Sequence, residues 1–213
     1  MIVSLLNLQS NVGKTTLAVN FAHQVYLRLK KNNVVLIDTD PKADAMKWLS
    51  KRTGKQLFPI ISMSGKLFKK QVHLFKRLFD FIFIDTQPNS LEAFDHTVCI
   101  SDLIIIPSGQ CVCNIKHANK SIELTRKEIY NLDNTYIRKV VISNSCYYDD
   151  SECSYCEEYL GHFHARSLNS LIRYSKTIED SSKEGKFIFE MNPRGIEMNM
   201  IGKAFLELPS LWY

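Results

Sequence analysis

Six short apolar runs, each long enough for one strand and no more, constrain this chain most. They fall at residues 2–7, 34–38, 57–62, 81–85, 103–107 and 140–144. Their apolar positions are mostly continuous rather than alternating, as in parallel strands covered on both faces. Pro59 makes the third run the weakest strand, because proline cannot donate to a sheet ladder. Helical patterns lie between the runs. Residues 15–31 carry Leu17, Phe21, Val25 and Leu29 on one stripe, and 65–79 carry Phe68, Val72, Phe75 and Phe79. Residues 114–130 and 193–208 also read as helices. Strand and helix repeated in this order predict an α/β fold: a doubly wound, mostly parallel sheet with helices on both faces and right-handed crossovers. The 213 residues suit a single domain over 1–213. Residues 147–154, acidic and small polar, read as a loop or insertion.

Composition narrows the class. Apolar residues make up 45% and charged residues 23%, which excludes a disordered or fibrous chain. The longest apolar runs fall far short of the roughly 20 residues of a membrane span. Residues 1–6 have no basic region of a secretory signal, so the six cysteines are read as reduced cytoplasmic thiols. The net charge of +5 permits an anionic partner without establishing one.

Chemistry concentrates after the first strand. The segment from Asn7 to Thr16 reads N-L-Q-S-N-V-G-K-T-T and leads from a strand into a helix, the setting of a phosphate-binding loop. Backbone N–H groups at a helix N-terminus attract anions. Gly13 lets the backbone approach phosphate, Lys14 supplies a point charge, and Thr15 offers a hydroxyl to Mg²⁺. Leu8 stands where the full G-x-x-x-x-G-K-[ST] pattern needs its first glycine. Taken alone, the tripeptide also fits a turn that merely starts a helix. The second and fourth runs end in Asp38-Thr39-Asp40-Pro41 and Asp85-Thr86. Carboxylates at the C-terminal ends of parallel strands face the crevice where such folds take ligands. Asp85 suits a Walker-B role toward Mg²⁺. A helix cap is the alternative for each.

Together these segments resemble the ParA/MinD family of deviant Walker-A ATPases, which show N-x-K-G-G-x-G-K-T-T, then D-x-D-P-Q, then an apolar run ending D-T-P-P. The likeness extends to Trp48 and Arg52 after Asp44, to Asn144 at the end of the sixth run, to residues 173–190 as the final β-strand region, and to a terminal helix ending near Leu208. It is closest to the short plasmid-partition class. The resemblance implies a P-loop NTPase fold, ATP and Mg²⁺ as cofactors, and an ATP-dependent homodimer. It places Ser10, Asn11, Val12, Gly13, Lys14, Thr15, Thr16 and Asn144 at the nucleotide, and Thr15, Asp38 and Asp85 at the metal. Asp40 would orient the attacking water, and Lys14 and position 9 would stabilise transferred charge. It further implies non-specific DNA binding, a ParB-like or other small adaptor, and a nucleoid-associated place in the cytoplasm. No membrane partner is expected, because Trp212 and Tyr213 read as packed on the domain or dimer; a MinD-like membrane-positioning ATPase is the alternative.

Departures cluster in the loop. The signature lysine of the family falls at Gln9, its glycines at Ser10 and Asn11, the Gln after D-x-D-P at Lys42, and the first Walker-B proline at Gln87. Gln9 carries no ammonium to neutralise phosphate across a dimer. The expectation is nucleotide binding with slow, altered or partner-dependent hydrolysis.

Two basic stretches could meet DNA phosphates. One comprises Lys66, Lys69, Lys70, His73, Lys76 and Arg77. The other, favoured by the resemblance, includes Arg173, Lys176, Lys183, Lys186, Arg194 and Lys203. A solvated face is the alternative for both. Cys146, Cys153, Cys156, His162 and His164 could supply zinc ligands, with free thiols and surface histidines as the default. Cys99, Cys111 and Cys113 sit in apolar contexts and read as buried packing residues.

Overall fold

The computed structural model describes residues 1–29, 33–65, 68–109, 112–131, 139–146, 166–170, 172–191 and 195–208. Its strands are β1 Ile2–Leu5, β2 Val34–Asp38, β3 Ile60–Ser62, β4 Phe81–Asp85, β5 Leu103–Gly109, β6 Lys139–Cys146, β7 Arg166–Ser167 and β8 Ile172–Arg173. They form one parallel sheet in the order β3-β2-β4-β1-β5-β6-β7, with β8 also on β6. The described helices are α1 Lys14–Leu29, α2 Asp44–Ser50, α3 Phe68–Phe75, α4 Leu91–Ile100, α5 Val112–Asn131, α6 Lys176–Glu184, α7 Ile188–Met191 and α8 Ile196–Glu207.

The continuous apolar runs behave as parallel strands must. Alternate residues of one strand feed opposite layers. Val3, Leu5, Leu36 and Phe83 pack with α1, α2, α7 and α8. Ile2, Val35, Ile37, Ile82 and Ile84 pack on the other face with α3 and the end of α4. Leu6, Leu8, Ile104 and Ile106 fill the space between α4 and α5 on that side. The stripe of α1 is buried at Leu17, Phe21 and Val25.

Several boundaries differ from the sequence reading. The third strand is only Ile60–Ser62, because Pro59 stands just before it and joins through its carbonyl, which accepts from Leu36 N at 3.1 Å. Helix α3 begins at Phe68 and ends at Phe75, where Phe79 closes edge-on at 6.0 Å between ring centroids. The region 173–190 is a final strand only at its start. Ser175 accepts from Thr177 N at 3.1 Å and caps α6, so most of the region is helical. Cys99 is half-buried rather than buried.

The C-terminal segment is tied back to α1 and α2. Arg52 makes a two-pronged bridge to Glu190, 2.6 Å on each arm, and its guanidinium lies 4.7 Å from the Phe187 ring centroid. Trp48 donates to Lys186 O at 3.0 Å, and Ile188 N donates to Asn20 Oδ1 at 2.9 Å. Gly185, at φ +68°, lets the two segments meet: a Cβ there would lie 2.5 Å from Arg52 N.

Candidate functional site

The parallel register puts Asp38 opposite Asp85 at the C-terminal ends of β2 and β4, with Leu5 of β1 on the other side of Asp85. The loop 6–13 then carries the chain from β1 into α1 over the same sheet edge. A cleft of about 570 Å³ opens there, lined by the loop, by Asp40 and Lys42, by α2, by Asp85 and Thr86, and by residues 172–182.

The loop survives its lost glycines by two separate means. Asn11 occupies the left-handed region at φ 58°, a conformation asparagine accepts more readily than most side chains. Leu8 turns inward and is 8% exposed, seated in the apolar cluster between α4 and α5. Asn7 fixes the start: its amide donates to Pro107 O at 2.8 Å, and its Oδ1 accepts from Gln9 N at 2.8 Å. Gly13, at φ 88°, has open space where a Cβ would stand.

Lys14 begins α1 and is buried. Its ammonium donates to the Gln9 carbonyl within the loop. Burial draws its pKa down to about 8, against the opposing pull of Asp85 and Asp40. Thr15 donates its hydroxyl to Asp85 Oδ2 at 2.6 Å. Asp85 is fully enclosed, and burial pushes its carboxyl up to about 7, with the Thr15 hydrogen bond opposing. Asp38 is also raised by burial, although it accepts from three backbone groups. Those are Asp40 N at 3.0 Å, and Ala45 N at 3.0 Å with Met46 N at 3.3 Å at the start of α2. The cap reading of Asp38 is therefore realised: the side chain is buried, holds the start of α2, and does not itself line the cleft.

The residues suit a triphosphate and a hard divalent cation. The first turn of α1 presents N–H groups that have no acceptor within the helix. Hydroxyl and carboxylate oxygens are the donors that Mg²⁺ prefers. Thr86 Oγ1 is buried in the cleft wall with no hydrogen-bond partner among the described residues, a polar atom suited to a ligand. Sequence reasoning did not single out Thr86, which lines the cleft; its place directly after Asp85 was the available signal.

The structure brings Ser10, Asn11, Val12, Gly13, Lys14, Thr15, Thr16, Asp40 and Asp85 into one cleft wall. Asn144 lies in β6 opposite Ser108 of β5. Of the proposed DNA set, Arg173, Lys176, Lys183, Lys186 and Lys203 are exposed, and Arg173 also lines the cleft. Lys183 faces Glu179 and Asp180, and Lys186 meets Glu184 at 2.8 Å. Lys70, His73, Lys76 and Arg77 are exposed on and just after α3. Arg194, Lys66, Cys111, Cys153, Cys156, His162 and His164 lie outside the described residues, as do the side chains of Cys113, Asn144 and Cys146.

A parallel sheet with a phosphate loop between β1 and α1, and acidic strand ends beside it, defines a P-loop nucleotide-binding protein. Residues 3–204 match the CobQ/CobB/MinD/ParA nucleotide binding domain, and the chain belongs to that family. Its relatives of the ParA/MinD type are ATPases. No curated protein matches the chain in sequence. Among solved structures it is similar to apo McdA of Cyanothece, with TM-score 0.78, 14% identity, and 100% of this chain and 99% of that one covered. It is similar to the septum site-determining protein MinD of Pyrococcus horikoshii complexed with Mg-ADP, at TM-score 0.75, 14% identity, and 99% and 96% coverage. A plasmid partition protein of Borrelia burgdorferi bound to AMPPNP aligns at TM-score 0.68, 18% identity, and 97% and 98% coverage. Among the described residues, no helix is long and apolar enough to cross a membrane.

Proposed function

We propose that this chain is a ParA-like positioning ATPase, one domain over 1–213, that binds Mg-ATP, dimerises on it and associates non-specifically with DNA to move a plasmid, chromosome or other large cargo. One observation carries the reading: Lys14, Thr15, Asp85 and Asp40 share a single cleft built on the family's sheet edge. In it, Lys14 and the N–H groups at the start of α1 hold the phosphates. Thr15 and Asp85 hold Mg²⁺, with Asp38 supporting from behind. Bound there, Mg²⁺ would offset the charge of the phosphates. Asp40 orients water for attack. Ser10, Asn11, Val12, Gly13 and Thr16 shape the phosphate loop, and Asn144 serves the base.

Exposed Arg173, Lys176 and Lys203, with Lys183, Lys186 and Arg194, form the DNA-facing set. A ParB-like or other small adaptor stimulates release, and no membrane is involved. The direct test is nucleotide binding with Mg²⁺ by wild type and Lys14→Ala, followed by DNA co-sedimentation across a salt series. Loss of binding in the variant supports the reading; unchanged affinity refutes the phosphate loop. Binding to DNA that does not weaken with salt would sink the electrostatic part.

A second reading rests on Gln9. A loop without the signature ammonium suits a nucleotide switch that binds ATP and turns it over little. ATP binding with no phosphate release, with or without DNA and any adaptor, selects it.

A further inference from the structure

The cleft holds more cations than the phosphate loop supplies, and all but one of the lysines in it are engaged. Lys14 donates to the Gln9 carbonyl. Lys47 faces Asp44 at 3.9 Å, and Lys51 donates to Ser182 O at 3.4 Å. Lys42 also lines the cleft, is exposed, and its ammonium has no carboxylate or carbonyl partner among the described residues. Its backbone is held firmly. Lys42 N donates to Asp40 Oδ1 at 2.9 Å, and Ala43 N to Asp40 O at 2.8 Å. Ala43 itself sits at φ 52° and ψ 48°, a left-handed geometry that is unfavourable for a non-glycine residue. Such strain persists only where the surroundings fix it, and here Asp38 pins both ends of the turn.

We propose that Lys42 reads the terminal phosphate of bound ATP, so that this turn, rather than position 9, supplies the cation that separates triphosphate from diphosphate. The inference rests on the ATP-binding reading above. A Mg-bound triphosphate in this cleft keeps a net negative charge, with Lys14 at one wall, and a second positive group near its end would strengthen its hold. The Gln9 side chain cannot be that group, since an amide carries no charge. Arg173 also lines the cleft and is not free, which leaves the Lys42 ammonium to meet the terminal phosphate. A charge-assisted hydrogen bond made to the last phosphate and absent with ADP gives discrimination by phosphate count.

The test is calorimetric titration of wild type, Lys42→Gln and Lys42→Arg with Mg-ATPγS and with Mg-ADP. The expected result is about 10-fold weaker ATPγS binding in Lys42→Gln, ADP affinity within about twofold, and near-recovery in Lys42→Arg. Far-ultraviolet circular dichroism of the variants checks the fold. If wild type binds both nucleotides and Lys42→Gln binds them equally well, the role of Lys42 is overturned while the ATP reading stands. An equal loss for both nucleotides in Lys42→Gln also overturns it. If wild type binds neither, the ATP reading fails first and this inference with it.

Discussion

The Thr15 hydroxyl meets the Asp85 carboxylate at 2.6 Å, joining the start of α1 to the end of β4 across 70 residues of sequence. Two oxygens from rigid elements thus share one point beside the phosphate loop. If that point is the cation site, Thr15→Ala and Asp85→Asn weaken nucleotide binding about 10-fold in Mg²⁺ and little in EDTA. Fluorescent-nucleotide titrations in the two buffers measure this. Equal losses with and without Mg²⁺ would place the cation elsewhere.

Position 9 tests whether charge limits turnover. Gln9→Lys restores an ammonium to the loop, and phosphate release should rise about 10-fold or more, in line with the effect of trans-acting cations in other NTPases. A rate that stays flat would show that the missing ammonium is not what holds hydrolysis back.

Gly185 is a structural requirement. A side chain there must adopt φ +68° and collide with Arg52 N at 2.5 Å. Gly185→Ala should cost at least about 2 kcal/mol from strain and overpacking together. Urea unfolding reads this directly, and a midpoint equal to wild type would mean the contact can relax freely.

His23 makes stability depend on acid. It is 3% exposed, stacks on Phe187 at 3.9 Å between centroids, and has no partner for Nδ1 among the described residues. Burial lowers its pKa to about 4, with Glu190 raising it and Arg52 lowering it. The unfolded chain therefore binds the proton first. Its contribution to stability is constant above about pH 6.5 and falls as pH drops from there toward 4, by on the order of 3 kcal/mol. His23→Phe should flatten that limb of a stability-against-pH curve. A limb of unchanged slope would assign the acid sensitivity to other groups.

Much of the site was legible because its chemistry is local. The strands 34–38 and 81–85 come out with their predicted bounds, each an unbroken apolar run ending in aspartate. Lys14 and Thr15 follow from residue type and spacing and Asp40 from the resemblance, and all three line the cleft. The hidden parts depend on distant partners. The pairing of Asn7 with Pro107, of Leu8 with the α4–α5 cluster, and of Gly185 with Arg52 is set by tertiary packing. Helix α4 was not read from the sequence, although Ser90 caps it and accepts from Ala93 N at 3.2 Å. The run 173–190 departs from its strand reading because only Ile172 and Arg173 pair in the sheet, while the Ser175 cap starts a helix at Lys176.

Leu8 ends up as a root beneath the loop. The residue that replaces a glycine is wedged among Phe94, Val98, Ile115 and Ile122, so the bend that faces the cleft and the helices on the far side share one set of contacts. Close-packed interiors transmit displacement instead of absorbing it. A partner that slides α4 along α5 from outside would therefore tug on the cradle without entering it.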